Sequence, residues 1–261
     1  MIRRILPLFL LSWILLTGCG QAQDPPEWTE VYEPEPAVVP ASPRFTPPPS
    51  DAILLFDGSG LEEWVSGDGS DAQWERSGDH MTVTPGNGDI HTRREFGDVQ
   101  LHLEFRAPDV IDGDGQGRGN SGVFLQERYE VQVLDNWNNP TYVNGMAGSI
   151  YKQHIPLANP AREPGEWQSY DIFFKAPRFE EDGTLREPAR ITVMLNGVLI
   201  QNNVELLGPT VFRGTPSYES HGFDSIRLQD HTDRVSYRNI WVRPLDEAIQ
   251  DADGMSSRES R

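Results

Sequence analysis

The chain has 261 residues, with 40 acidic side chains against 22 Lys and Arg, for a formal net charge of −18. Such a surface repels phosphate backbones, so nucleic acid is excluded as a partner. A single cysteine rules out an intramolecular disulfide framework and a zinc site built from several cysteines.

That cysteine closes the first element. Arg3 and Arg4 precede an apolar run from Ile5 to Leu16, which ends in Leu16-Thr17-Gly18-Cys19. A basic start, a short apolar stretch and small residues make an export signal, too short for a comfortable membrane span. The Leu-Thr-Gly-Cys ending resembles a bacterial lipobox. The resemblance implies removal of 1–18, a lipid on Cys19 and, with Gly20 following, sorting to the outer membrane, facing either periplasm or surface. The chain then meets membrane through its lipid anchor only.

Nine prolines fall between Gly20 and Ser50. Proline at this density blocks helix and sheet pairing and favours extended geometry, so 19–50 is expected to act as a tether. Residues 51–245 predict one all-β domain. Ile53–Phe56 is a short apolar run ended by Asp57-Gly58, and Val99–Phe105 alternates at period two. Val123–Leu125 and Tyr129–Val133 flank a tight turn at Gln126-Glu127-Arg128. Ser169–Lys175 and Ile191–Leu195 follow, and Asn196-Gly197 is a hairpin signal before Val198–Ile200. Ser225–Gln229 and Val235–Val242 close the domain, and 246–261 is a polar tail. No segment sustains a 3.6-residue apolar period, so the pattern means a sandwich or jelly roll.

Strand parity sorts the polar residues. Glu130 and Gln132 face away from Tyr129, Val131 and Val133. Arg227, Gln229 and, if the strand lasts, His231 face away from Ile226 and Leu228. Asn120 and Ser121 lead into Val123. A carboxylate, amides, a guanidinium and an imidazole thus share what could be one surface, with Trp137, Tyr142, Tyr151 and Trp167 as stacking platforms. This is the chemistry of carbohydrate recognition; the plainer reading is a solvated outer face. The histidines form no metal-ligand motif, and Gly-x-Ser-x-Gly is absent. Asp109, Asp112 and Asp114 read more simply as an acidic loop than as a calcium site.

Four stretches together carry a family resemblance. They are Leu55-Phe56-Asp57-Gly58 with Leu61 and Trp64; Gly119-Asn120-Ser121-Gly122-Val123 with Arg128 to Asp135; Gly165 to Asp171; and Arg227 to His231 with Arg238 to Val242. They resemble the bacterial 3-keto-disaccharide hydrolase domain, over about 51–245. The resemblance implies a concanavalin A-like jelly-roll sandwich of two curved antiparallel sheets and a glycan-processing role on glycosides oxidised at C3.

A C3 ketone acidifies the C2 proton. Its removal lets the enolate expel the C1 substituent, and water can then add back. The route needs a base, donors for the enolate oxygen and an acid for the leaving group. Glu130, Arg227 and His231 fit these roles by side-chain type. Asn120, Gln132, Asp135, Trp137, Tyr151 and Gln229 are the expected substrate contacts. The resemblance fixes no cofactor; if a divalent metal is present, Glu130, His154 and His231 are its candidate ligands. The competing functions are a non-catalytic carbohydrate-binding module on the same scaffold and a structural envelope lipoprotein.

Overall fold

The computed structural model describes residues 25–35 and 48–245. Cys19, the signal-like segment 1–18 and the tail 246–261 lie outside the described residues. In chain order the strands are β1 (Ile53–Phe56), β2 (Trp64–Ser66), β3 (Glu75–Ser77), β4 (His80–Thr82), β5 (Ile90–Phe96), β6 (Val99–Arg106), β7 (Ser121–Leu125) and β8 (Tyr129–Val133). They continue as β9 (Gln168–Lys175), β10 (Arg178–Phe179), β11 (Leu185–Glu187), β12 (Arg190–Leu195), β13 (Val198–Glu205), β14 (Asp224–Leu228) and β15 (Ser236–Pro244). Among the described residues there are short 3-10 turns but no α-helix.

Two antiparallel sheets carry the fold. The larger runs β13-β12-β9-β6-β15-β4-β3, with β1 also on β15; the smaller runs β2-β5-β14-β7-β8. This is the expected concanavalin A-like sandwich. Leu101, Leu103 and Phe105 of β6 and Tyr170, Ile172 and Phe174 of β9 form one wall of the core. Val123, Leu125, Tyr129, Val131, Ile226 and Leu228 from the smaller sheet form the other. Two core tyrosines tie the layers together. Tyr170 donates to the Gln132 carbonyl at 2.7 Å, and Tyr237 donates to Ser121 Oγ at 2.7 Å. Each anchors a strand of the small sheet from below, fixing which way Gln132 and its neighbours face outward.

The Asn196-Gly197 turn has φ of 52° and 77°, the two positive angles its sequence demands. The β7–β8 turn is less expected: Gln126 and Glu127 both have positive φ, 49° and 62°, without a glycine. Side chains sit there only when their surroundings hold them, and Glu127 is held from three sides, as described below. Strand β5 escapes the sequence reading because Arg93, Arg94 and Glu95 are exposed and only Ile90, Thr92 and Phe96 are buried. Thr92 is buried as a polar residue by donating to the Arg94 carbonyl and accepting from Ile226 N.

Two expectations change. Strand β14 stops at Leu228, so His231 does not lie on it. Asp230 turns the chain there: its carboxylate accepts from the Gly86 and Gly88 amides at 2.7 and 3.0 Å, while its own N–H goes to Asp89. His231 is exposed in the turn that follows. The proline-rich stretch is also not extended throughout. Pro26–Thr29 forms a 3-10 turn, and the chain after it docks on the domain. Val31 donates to Asn144 Oδ1, Val143 donates to the Val31 carbonyl, and Asn144 Nδ2 donates to the Thr29 carbonyl.

Candidate functional site

The outward face of the small sheet assembles the site. In register, Glu130 of β8 lies opposite Phe124 of β7, Phe124 opposite Arg227 of β14, and Arg227 opposite His91 of β5. Side chains directly opposite one another share a face. One row therefore reads carboxylate, aromatic ring, guanidinium, imidazole across adjacent strands.

Glu130 is 5% exposed. Its carboxylate has room because position 122 is glycine: a Cβ there would sit 2.8 Å from Glu130 Oε1 and 2.7 Å from the Phe124 ring. Burial raises its carboxyl from an ordinary 4.5 to about 8. The Arg227 charge opposes the rise and the Asp89 charge adds to it. Among the described residues no hydrogen bond to this carboxylate accompanies those effects, so desolvation dominates.

Arg227 is held on every side. Its guanidinium lies 3.6 Å over the Phe124 ring centroid, pairs with Asp89, and sends Nε to Glu127 Oε2 at 3.1 Å. Glu127 also takes His91 Nδ1 at 2.7 Å and the Ser225 hydroxyl. Glu127 is pulled below its ordinary range even though burial, its largest single influence, acts upward; the His91 and Ser225 hydrogen bonds and the charges of His91 and Arg227 together outweigh it. Arg227 is thus an immobile positive charge facing Glu130.

A pair of tyrosines closes the other side. The segment after β8 folds back along the strand edge: Gln132 N donates to the Ser149 carbonyl and Tyr151 N to the Glu130 carbonyl. Tyr142 and Tyr151 hydroxyls meet at 2.7 Å. Burial pushes Tyr151 up to about 12 and Tyr142 higher still, with the Glu130 charge contributing to both. Both phenols are therefore protonated at neutral pH. Lys152, at φ 58°, places its ammonium 5.4 Å from the Tyr142 centroid, 5.8 Å from that of Tyr151 and 3.7 Å from Glu30. Burial pulls that amine below its ordinary value.

The remaining expected residues divide. Gln132 joins Glu130 on β8 and donates to Asn120 Oδ1 at 3.2 Å and Gln116 Oε1 at 3.3 Å. Gln132 Oε1 is buried with no partner. Gln229 continues the pairing of β14 beyond its end by donating its N–H to Gly122. Asp135 instead binds Arg118 Nε at 2.8 Å and caps Trp137 N at 2.9 Å, leaving its carboxylate committed to the loop. Trp137 is half-buried there, its carbonyl held by Arg118. Trp167 belongs to the opposite face of the molecule, between Arg106 and Arg238 at 4.6 and 4.1 Å. His154 Nε2 is bonded to the Glu205 carbonyl at 2.7 Å. Among the described residues no group of three or more His, Cys, Asp or Glu side chains is arranged to hold a metal, and Glu130, His154 and His231 are not brought together as one. A cavity of about 780 Å³ beside β10 and β11 is lined by none of the residues around Glu130.

Sequence reasoning missed Phe124 and His91 of this row and the Asp89, Glu127 and Gly122 that hold it. Gly122 and Phe124 alternate with the apolar Val123 and Leu125, so parity alone would have placed them beside Glu130. Asp89, His91 and Glu127 carry no such local signal.

The comparisons agree with this architecture. Residues 51–243 match the model of the 3-keto-alpha-glucoside-1,2-lyase-like domain. A solved structure from Parabacteroides distasonis ATCC 8503, provisionally assigned as a glycosyl hydrolase, is 50% identical, covering 84% of this chain and 96% of that one at a TM-score of 0.76. A second such protein from the same organism is 19% identical, covering 75% of this chain and 94% of that one at a TM-score of 0.54, and shares the fold. No curated protein matches.

Proposed function

The chain belongs to the 3-keto-alpha-glucoside-1,2-lyase-like family, and from that premise we propose that it cleaves 3-keto-glycosides by elimination, with Glu130 as the base. At the coarse level it is a member of a glycoside-acting family with a hydrolase-like relative of 50% identity. The observation that carries the finer reading is the Glu130 carboxyl, buried, free of hydrogen bonds among the described residues and raised to about 8. A base is most effective when its pKa lies near the working pH, and burial is the usual means of lifting a carboxylate there.

Glu130 takes the C2 proton; the C2–H electrons pass into the enolate, whose negative charge sits on the C3 oxygen. The Tyr151 hydroxyl, backed by Tyr142, is the donor aimed at that oxygen, and Arg227 supplies the fixed positive field. Collapse of the enolate restores the C3 carbonyl, forms C1=C2 and breaks the C1–O bond, and the leaving alkoxide takes the proton held by Glu130, which returns to its carboxylate form. Water then adds across C1=C2. Gln132, with an unspent Oε1 acceptor, and Gln229 orient sugar hydroxyls. The opposed carboxylate pair of ordinary glycosidases is not required. His231 takes no part, because the turn at Asp230 carries it off the strand.

We further propose that the domain works at the cell envelope, held through Cys19. The test is sugar release from 3-keto-glucosides and from their unoxidised parents, with and without chelator. Release confined to the keto compounds supports the reading. Equal release from both replaces it with ordinary glycoside hydrolysis, and saturable binding without release replaces it with a carbohydrate-binding module.

A further inference from the structure

A cavity of about 520 Å³ lies where the docked N-terminal segment meets the loop after β8, within the usual range for small-ligand sites. Its walls include Asn136, Asn138, Asn159 and Thr141 from the domain and Tyr32 from the N-terminal segment. Buried amide groups normally spend all their hydrogen bonds. These do not. Asn136 is 5% exposed; its Oδ1 accepts from Ala147 N at 3.0 Å, but its Nδ2 has no partner. Asn159 spends Oδ1 on Ala161 N, and Asn138 stands exposed at the rim at φ 47°. By contrast Asn139, in the same wall, uses both ends of its amide on Gly115 and Asp135 and simply holds the loop.

Tyr32 supplies the apolar half. It is 59% exposed, packs edge-on against Tyr142 at 6.2 Å between centroids, and leaves its remaining surface free for a ligand. It is fixed by the adjoining bonds of Val31 to Val143 and Asn144. Amide donors and acceptors beside an aromatic face match a ring that bears hydroxyls on its edge and C–H groups on its face. No cation lines the cavity and Glu35 does, so an acidic sugar is disfavoured.

We propose that this cavity is a second saccharide site, binding a neutral sugar unit, completed by Tyr32 of the N-terminal segment. It is joined to the first site by the chain Thr141, Gln116, Gln132, through Gln116 Nε2 to Thr141 Oγ1 at 2.9 Å and Gln132 Nε2 to Gln116 Oε1 at 3.3 Å. The proposal goes beyond the catalytic reading and does not rest on it.

The test is titration of the full chain with cellobiose, maltose and a glucuronic acid disaccharide, read by ligand-observed NMR and calorimetry. A neutral disaccharide is expected to bind, and the acidic one not. Asn136→Asp keeps the acceptor for Ala147 N and removes the unspent donor, so it should weaken binding by about tenfold. Tyr32→Ala, at an exposed position that leaves folding intact, should weaken it by about fivefold. Glu130→Gln should leave it unchanged, which separates this site from the first. Absence of neutral-sugar binding, binding unaffected by both Tyr32→Ala and Asn136→Asp, or preference for the acidic sugar would each overturn the proposal.

Discussion

Replacing Glu130 with Gln should stabilise the protein at alkaline pH and not at acid pH. The folded carboxyl titrates near 8 and an ordinary one at 4.5. Between those values the native state holds a proton that the unfolded state has released, so stability falls as pH rises. The favourable contribution of the protonated acid is fully present below about 4.5 and is lost as pH passes through about 8. Each pH unit in that window is worth about 1.4 kcal/mol, so the loss reaches about 5 kcal/mol over the whole window. Gln cannot ionise and does not share the loss. Denaturant unfolding of the full chain and of Glu130→Gln, at pH 4.5, 6, 7 and 8.5, gives the difference directly. The two curves should diverge steadily across the window, with Gln the more stable at the alkaline end. A difference independent of pH, or one that grows toward acid, would refute the assignment of a buried, desolvated carboxyl.

Other substitutions test the neighbours. Gly122→Ala puts a methyl within 2.8 Å of the Glu130 carboxylate and 2.7 Å of Phe124; it should cost about 1–3 kcal/mol of stability and at least tenfold in kcat, read by unfolding and turnover. Tyr151→Phe removes the donor and leaves the Tyr142 hydroxyl without its 2.7 Å partner; kcat on a 3-keto-glucoside should fall by about 100-fold, with KM changing far less. Arg227→Lys loses the stacked, forked geometry over Phe124 and leaves Asp89 and Glu127 less neutralised. The Glu130 carboxyl should then rise further, moving the limb of the kcat/KM profile on which activity climbs with deprotonation to higher pH.

The strands that alternate cleanly were legible in the sequence. Val99–Phe105, Tyr129–Val133 and the Asn196-Gly197 hairpin stand where period and turn chemistry put them. Parity also put Glu130 and Arg227 on outward faces, and β7 between them turns that into one row. What was not legible depends on contacts distant in sequence. Strand β5 reads as polar because three of its residues are solvated, and its buried Thr92 is satisfied only by the β14 backbone. The end of β14 is set by Asp230 reaching the amides of Gly86 and Gly88, more than 140 positions away, so no local signal could show that His231 leaves the strand. The Tyr142–Tyr151 pair depends on how the loop after β8 folds back. Docking of the N-terminal segment depends on contacts no local pattern shows: the Asn144 amide, whose two ends fit Val31 and Thr29, and the Val143 N–H on the Val31 carbonyl.

Proton removal from C2 by Glu130 is read directly by exchange of that proton with solvent. The full chain is incubated in D2O with a 3-keto-glucoside, and deuterium at C2 is followed by NMR in recovered substrate and in product. Deuterium should enter C2 with the native protein, at least about 100-fold more slowly with Glu130→Gln, and not at all in the unoxidised parent sugar. Cleavage with C2 keeping its original hydrogen, or exchange undiminished in Glu130→Gln, would contradict it.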